Sequence, residues 1–536
     1  MGTAVPAPSA RHGGRTLGNM HNTRYARSGM VSTVDHLASR AGVAMLERGG
    51  SAADAAVAAN AVLAVTAPHM CGLGGDLFAL VHDGSGAPAA LNASGRAGSG
   101  ADPERLRAEG HERMPFHHDV RSVPVPGCAD GWLALHGRYG RLPLTEVLAP
   151  AIGYATDGFP ASPLLAPALP TVGPLCEDFA SARSAGELIR RPGVARALKA
   201  LTGGRDGFYL GEFGEGLLAV GGGEYTEDDL AGDGAQWTDP LRTRVFGHDV
   251  WTMPPNSQGY LLLLALAVAE GLDLPADPSD PLWAHLLVES ARVAGHDRPE
   301  LLYEGASVAA ALDSAAARRA LVDPSRRLAV RDLAAAGDTT YLCAVDGDGM
   351  GVSLIQSNAA GFGSLVFEPR TGINLHNRGI GFSLVPGHPA EYGPGRRPPH
   401  TLVPALITRP DGSLRAVVGT MGGDAQPQIL LQVVTRLLAC GQTPGEAIGA
   451  ARWRLGSGGT GFDAWLAPDE AAVEVEEGAP WAEGLARRGH PVGALPYGSA
   501  FGHAHLIDVL PRACRRGGRP RPHRSRARGV SCGFSS

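Results

Sequence analysis

Residues Ala335 to Asn358 read AAGDTTYLCAVDGDGMGVSLIQSN, and the stretch changes character at one point. Small residues run up to Gly337 and Asp338, and two threonines follow. A strand-like run, TYLCAVD, then begins, turns at GDG and resumes over MGVSLIQS. Two such runs joined by a short Asp/Gly turn predict a β-hairpin. Threonine suits a strand through its branched β-carbon, so a pair of them at a strand start is ordinary by itself. What sets Thr339 apart is the chemistry it would gain as an amino terminus.

A threonine hydroxyl is a weak nucleophile until a base takes its proton. An α-amino group has a pKa near 7.7–8.0, close to the pH at which a general base works well. An N-terminal Thr339 would therefore carry nucleophile and base on one residue. Its hydroxyl could first attack the carbonyl of Asp338, giving an ester that water opens, with Gly337 allowing the chain to kink. Such a site also needs backbone N–H groups aimed at a developing oxyanion. VVGTMGGDAQPQ supplies candidates in Gly422 and Gly423, between a strand pattern and a helix pattern.

The 536 residues predict two domains or one unusually large core. With 44% hydrophobic residues the composition is that of a globular chain. No run approaches the ~18–20 apolar residues of a membrane span; the longest, from Tyr260, is broken at Glu270. The first residues lack the apolar core of a secretory signal, so a cytoplasmic location is expected. Seven scattered cysteines form no CxxC pair, which predicts neither a disulfide framework nor a zinc site. No metal or other cofactor is expected. Lys199 is the single lysine against 46 arginines, a bias of the coding sequence. Residues 511–536 hold eight arginines and no acid. Without interleaved aromatics they read as a disordered basic tail rather than a nucleic-acid site, and no nucleic-acid or membrane partner is expected.

Residues 1–28 also read as an unordered tail. STVDHLASRAGVAMLERGG follows as an amphipathic helix with Ser32 or Thr33 as N-cap. SAADAAVAANAVLAVTAP is a helix so rich in alanine that another backbone must approach it closely. HMCGLGGDLF is a glycine turn leading into the strand DLFALVHDG. Helices are predicted over 129–139, 144–156, 258–272 and 282–294, and over QPQILLQVVTRLLACG. Strands are predicted at LVFEP, ALITRP, RAVVGT, AAVEVE and AHLIDVL. Between 160 and 245 the signal is weak. Helical text around strands predicts sheets covered by helices on both outer faces.

DTTYLCAVDGDGMGVSLIQSN, GFGS, TGINLHN, GPGRRP, VVGTMGGD and AARWRL together resemble the small-chain region of the γ-glutamyltranspeptidase family of N-terminal-nucleophile hydrolases. GGSAADAAVAANAVLAVTAPHMCGLGGDLFAL, ASGRA, VPVPGCADGWLALHGRYGRLPLTEVLAPAI, MPPNSQG and HLLVESARVAGHDR resemble its large chain. The likeness runs in family order from about residue 29 to 510. It implies an α+β fold, a four-layer αββα sandwich, cut between Asp338 and Thr339 into a large-chain segment (29–338) and a small-chain segment (339–510) that stay together as one intertwined domain. It further implies a small-molecule amide or γ-glutamyl substrate and a homodimer of heterodimers. By the same resemblance Thr339 is the nucleophile, Ser357 the hydroxyl that steadies it, Gly422 and Gly423 the oxyanion donors, and Arg96 the partner of a substrate carboxylate, a role suited to a planar guanidinium. Asn377, Arg378, His400 and Thr401 fall in the substrate-binding segments.

The departures shape the substrate. Family members that take γ-glutamyl groups hold the substrate ammonium with an acid where this chain has Gly381. Arg378 stands where an amide is usual, and His400-Thr401 replaces a pair of serines. The segment between Phe382 and Arg396 is too short for the usual lid loop. Loss of the acid and gain of an arginine favour an anionic acyl group, and LHNRG and PPHTL are similar to a lid-less, oxamate-amidohydrolase-like branch. The resemblance implies a self-processing amidohydrolase or acyltransferase that passes an acyl group from Thr339 to water or an amine; an oxamate-like amidohydrolase and a non-processed scaffold are the alternatives. CGLGGD fits neither GxGxxG nor a phosphate loop with its lysine, and no G-x-S-x-G is present. His503 and His505 share one strand face and read as structural or pocket-lining residues rather than metal ligands.

Overall fold

The computed structural model describes residues 23–329, 339–456, 471–497, 499, 501–511 and 526–531. Asp338 and Gly337 lie outside them, so the expected cleavage junction is described only from Thr339 onward.

The opening stretch forms the hairpin that its two strand-like runs and Asp/Gly turn predict. Thr340–Asp346 pairs antiparallel with Gly351–Ser357, Thr340 opposite Gln356. Asp346 closes the turn: its Oδ1 accepts from the N–H groups of Asp348, Gly349 and Met350 at 2.9–3.0 Å. The two-residue period then sorts side chains into two layers. Tyr341, Cys343 and Val345 enter one apolar cluster, while Leu342 and Ala344 enter another.

That sorting builds the fold. A six-stranded sheet runs Gly29–Ser32, Thr340–Asp346, Gly351–Ser357, Asp76–His82, Ala89–Ala93, Gln236–Thr238. A seven-stranded sheet runs Arg24–Ala26, Arg526–Ser531, Ala504–Leu510, Leu414–Thr420, Ala405–Thr408, His248–Thr252, Leu241–Val245. Phe78, Tyr341, Ile355, Leu406, Val417 and Ile507 fill the space between the sheets. The opposite face of the first sheet meets the helices His36–Glu47, Ala52–Thr66 and Cys128–Tyr139, with Leu144–Asp157 packed outside Ala52–Thr66. The opposite face of the second meets Gly259–Glu270, Pro281–Gly295 and Gln426–Leu438. Helix, sheet, sheet, helix is the expected αββα sandwich. Each large apolar side chain in this interior contributes about 1.5–3 kcal/mol by leaving water.

The alanine-rich helix Ala52–Thr66 is buried along its whole length and packs against His36–Glu47. Its one mid-helix amide, Asn60, is matched on both sides, donating to Gln356 Oε1 at 3.0 Å and accepting from Trp132 Nε1 at 2.7 Å. No helix among the described residues is long and apolar enough to cross a membrane.

Three expectations need correction. Arg526–Ser531, read as part of a disordered tail, is a strand paired with Ala504–Leu510, and Arg24–Ala26 adds to its outer edge. Arginine content had masked an alternating run in which Ala527 reaches the inter-sheet core. The first helix is capped by Asp35, not Ser32 or Thr33, because Ser32 is taken up by the strand that pairs with Cys343. LVFEP shrinks to Phe367–Glu368 against Ile373–Asn374.

Candidate active site

Thr339 sits at the mouth of the sandwich, fully buried, with its Oγ1 3.2 Å from Ser357 Oγ at the far end of the partner strand. Ser357 Oγ also accepts the Ala359 N–H at 2.8 Å. The Ser357 N–H donates to Asp76 Oδ1 at 3.1 Å, at the start of the neighbouring strand. The hairpin register brings these residues together: Ser357 pairs with Asp76 as the last rung of its ladder.

Asp76 gathers the charged side of the site. His400 Nε2 lies 2.8 Å from its Oδ2, Arg378 Nε 3.5 Å and His376 Nδ1 3.6 Å, all in the protein interior. The Leu402 N–H donates to His400 Nδ1 at 3.3 Å, so the ring proton belongs on Nε2, which donates to Asp76. Burial alone would raise the Asp76 pKa, but His400, His376 and Arg378 outweigh it and hold the carboxyl well below the usual carboxylate range. Burial, aided by Arg378, lowers His400 to about 4 and keeps it neutral at physiological pH. Sequence reasoning expected Arg378 to make the pocket cationic. The buried Asp76 carboxylate compensates that charge, a pairing invisible in the sequence because the two lie some three hundred positions apart.

The oxyanion candidates join the same network. His400 O accepts from Gln258 N at 3.0 Å, and Gln258 Nε2 donates to Thr401 O at 2.8 Å and to Gly423 O at 3.1 Å. Arg298 holds Gln258 Oε1 at 3.1 Å and pairs with Asp424. Gly422 has φ +126° and Gly423 φ +53°, a turn open to glycine. The Gly422 carbonyl accepts from Ala425 N at 3.0 Å on the helix side. A planar trans peptide therefore aims the Gly423 N–H the other way, off the helix. Gln258, Arg298, Asp424 and Asp76 escaped sequence reasoning; NSQG, GHDR and GGD were noticed as motifs but gave no sign of mutual contact.

The remaining candidates differ. Thr401 Oγ1 is buried with no hydrogen-bond partner among the described residues. The Asn377 carboxamide is taken up by Ala360 N at 3.0 Å and Phe116 O at 2.8 Å, so it braces the loop. Arg96 stands apart: its guanidinium forks onto Glu304 at 2.8 and 3.1 Å and onto Gly395 O at 2.8 Å, so a substrate carboxylate there would displace Glu304. Gly381 explains the missing acid, since a Cβ would lie 2.7 Å from the Pro399 carbonyl oxygen. The short segment after Phe382 docks Phe382, Leu384 and Tyr392 against Leu106 and Met114 rather than forming a lid. His503 and His505 diverge, the first facing Met421 and the second Ser32. His285, Glu289 and His490 cluster elsewhere in the interior, where His285 bonds His490 at 2.8 Å and Arg292 pairs with Glu289.

Four buried histidines around this mouth are held neutral mainly by burial: His69 and His505 near about 3, His400 and His503 near about 4. The unfolded chain titrates near 6.5, so as pH falls below that value it takes up protons the folded protein refuses. Each histidine then removes up to about 1.4 kcal/mol of stability per pH unit until its folded pKa is reached. Urea midpoints should drop steeply from pH 7 to pH 5, and His505→Gln should flatten the slope. Equal midpoints at the two pH values would contradict the neutral assignment.

The fold and this site define an N-terminal-nucleophile hydrolase. The profile of the Gamma-glutamyltranspeptidase family matches residues 38–528, and the chain belongs to that family. It is 35% identical over 449 residues to the glutathione hydrolase-like YwrD proenzyme of Bacillus subtilis, covering 80% of this chain and 85% of that one. It is 33% identical over 527 residues to the oxamate amidohydrolase proenzyme of Klebsiella pneumoniae, covering 93% and 98%. Among solved structures, a cephalosporin acylase from Bacillus halodurans superposes with a TM-score of 0.84 at 32% identity, covering 100% of this chain and 99% of that one.

Proposed function

We propose that the chain is a self-processing amidohydrolase in which freed Thr339 takes up small acyl groups that carry a negative charge and no ammonium, the oxamate class, ahead of γ-glutamyl donors. In processing, Thr339 Oγ1 bonds to the Asp338 carbonyl carbon, the C–N bond breaks, and water opens the resulting ester, leaving a carboxylate and a free α-amine. In turnover that amine accepts the Thr339 hydroxyl proton as the oxygen attacks the substrate amide. The Gly422–Gly423 turn supplies the N–H donors for the oxyanion. The proton passes to the departing amine, and water or a second amine then opens the acyl ester.

The Thr339–Ser357 hydroxyl pair at the strand mouth carries the reading as a hydrolase. The contact of Gly381 with the Pro399 carbonyl carries the substrate preference, because it leaves no room for an acid to hold an ammonium. Arg378, His400 and the unpartnered Thr401 hydroxyl are the groups an acid-bearing acyl unit would meet. Relatives named as an oxamate amidohydrolase and an acylase are consistent with this preference. With processed enzyme, kcat/KM for oxamate should exceed that for γ-glutamyl-p-nitroanilide by about tenfold or more. Equal or faster turnover of the γ-glutamyl compound would overturn the preference.

A further inference from the structure

We propose that a cavity of about 530 Å³ beside the nucleophile, lined by His69, Met70, Phe362, Leu365, Met421 and His503, receives the amine half of the substrate amide and selects an uncharged apolar or aromatic amine. This rests on the amidohydrolase reading above and narrows its substrate class to N-substituted amides of small anionic acids.

The cavity is lined by segments that continue from the neighbours of Thr339 and Gly422. His69 and Met70 precede the strand that begins at Asp76, Phe362 follows the strand that ends at Ser357, and Met421 directly precedes Gly422. The Asn358 N–H reaches Met70 O at 3.3 Å, Phe362 N reaches His69 O at 3.0 Å and Met421 N reaches His503 O at 3.2 Å. The wall therefore continues from the segment that hydrogen-bonds Ser357 and, through it, Thr339.

An amide carbonyl attacked by Thr339 carries two substituents that diverge from one trigonal carbon. Arg378, His400 and Thr401 form a compact, polar, buried flank suited to a small polar acyl group. The other substituent must leave by the opposite, roomier side. A volume of 530 Å³ falls within the range of small-molecule sites. Among the described residues no Asp, Glu, Lys or Arg lines this cavity. A carboxylate on the amine half, as in an amino acid or dipeptide, would be desolvated there without a counter-ion. Aromatic walls favour a flat group: Phe362 lies 6.3 Å from the His69 ring and 5.6 Å from Phe179.

The test compares oxamate, N-benzyl oxamate and N-(4-carboxybenzyl) oxamate on processed enzyme. The last two share a ring and an amine of similar basicity and differ in one carboxylate. kcat/KM should favour the benzyl compound by about tenfold or more. Leu164→Lys, which places a cation on the cavity wall, should shrink that ratio by about tenfold by admitting the carboxylate. Equal turnover of the two, or a ratio unmoved by Leu164→Lys, overturns the assignment, as does turnover of oxamate alone. If none of the three is hydrolysed, the amidohydrolase reading fails and this inference falls with it.

Discussion

Thr339→Ala protein should run as one chain of about 55 kDa on a denaturing gel and hydrolyse no amide. The wild-type chain should instead give two fragments, one starting at Thr339. Alanine removes the hydroxyl proposed to attack both the Asp338 carbonyl and the substrate, so processing and turnover should fail together. Loss of a nucleophile that works as a unit with its base costs on the order of 10⁶ in rate. The fold should survive, because the hydrogen bond of Thr339 Oγ1 with Ser357 is worth only about 1 kcal/mol. Thr339→Ser keeps a hydroxyl and an α-amine and should process slowly rather than not at all. A wild-type chain that stays intact and inactive would favour a scaffold role. Fragments or hydrolysis from Thr339→Ala would instead move the nucleophile elsewhere.

Local chemistry was readable in the sequence and distant pairing was not. The hairpin from Thr340 to Ser357 and the helix Cys128–Tyr139 follow from residue periods and turn residues that need no tertiary partner. Ser357 was named beside Thr339 by the family resemblance, and the short hairpin is what brings the two hydroxyls within 3.2 Å. The Gly422–Gly423 turn was visible because two glycines between a strand and a helix leave few backbone choices. Asp76 looked like the polar start of a strand; its partners His376, Arg378 and His400 come from a separate part of the chain. Arg96 looked free for a substrate until Glu304, 208 residues away, was placed on its guanidinium. The strand Arg526–Ser531 was hidden by composition, since arginine at alternate positions reads as a solvated tail until a sheet edge is there to receive it.

The deepest dependence of the site on a residue without obvious chemistry lies at Asp76, and Asp76→Asn should show it. Asparagine keeps the shape but offers one acceptor oxygen to two donors, the Ser357 N–H and His400 Nε2–H. Its amide N–H group would face one of those donors. Arg378 would also be left as a buried charge with its nearest carboxylate gone. Removing one partner of a buried pair destabilises by about 3–5 kcal/mol, so urea unfolding should register a large loss at pH 7. Processing and kcat should fall as well, because the Ser357 backbone and the His400 loop, which also carries Thr401 and ties through Gln258 to Gly423, lose their shared anchor. A rate loss of about 10²-fold matches a misplacement of roughly 1 Å. Pairing Asp76→Asn with Arg378→Gln separates the two effects. Removing the uncompensated cation should recover much of the stability, while the rate stays low because the Ser357 and His400 hydrogen bonds remain mismatched. If Asp76→Asn unfolds at the wild-type urea concentration and processes at the wild-type rate, the carboxylate does not organise the site.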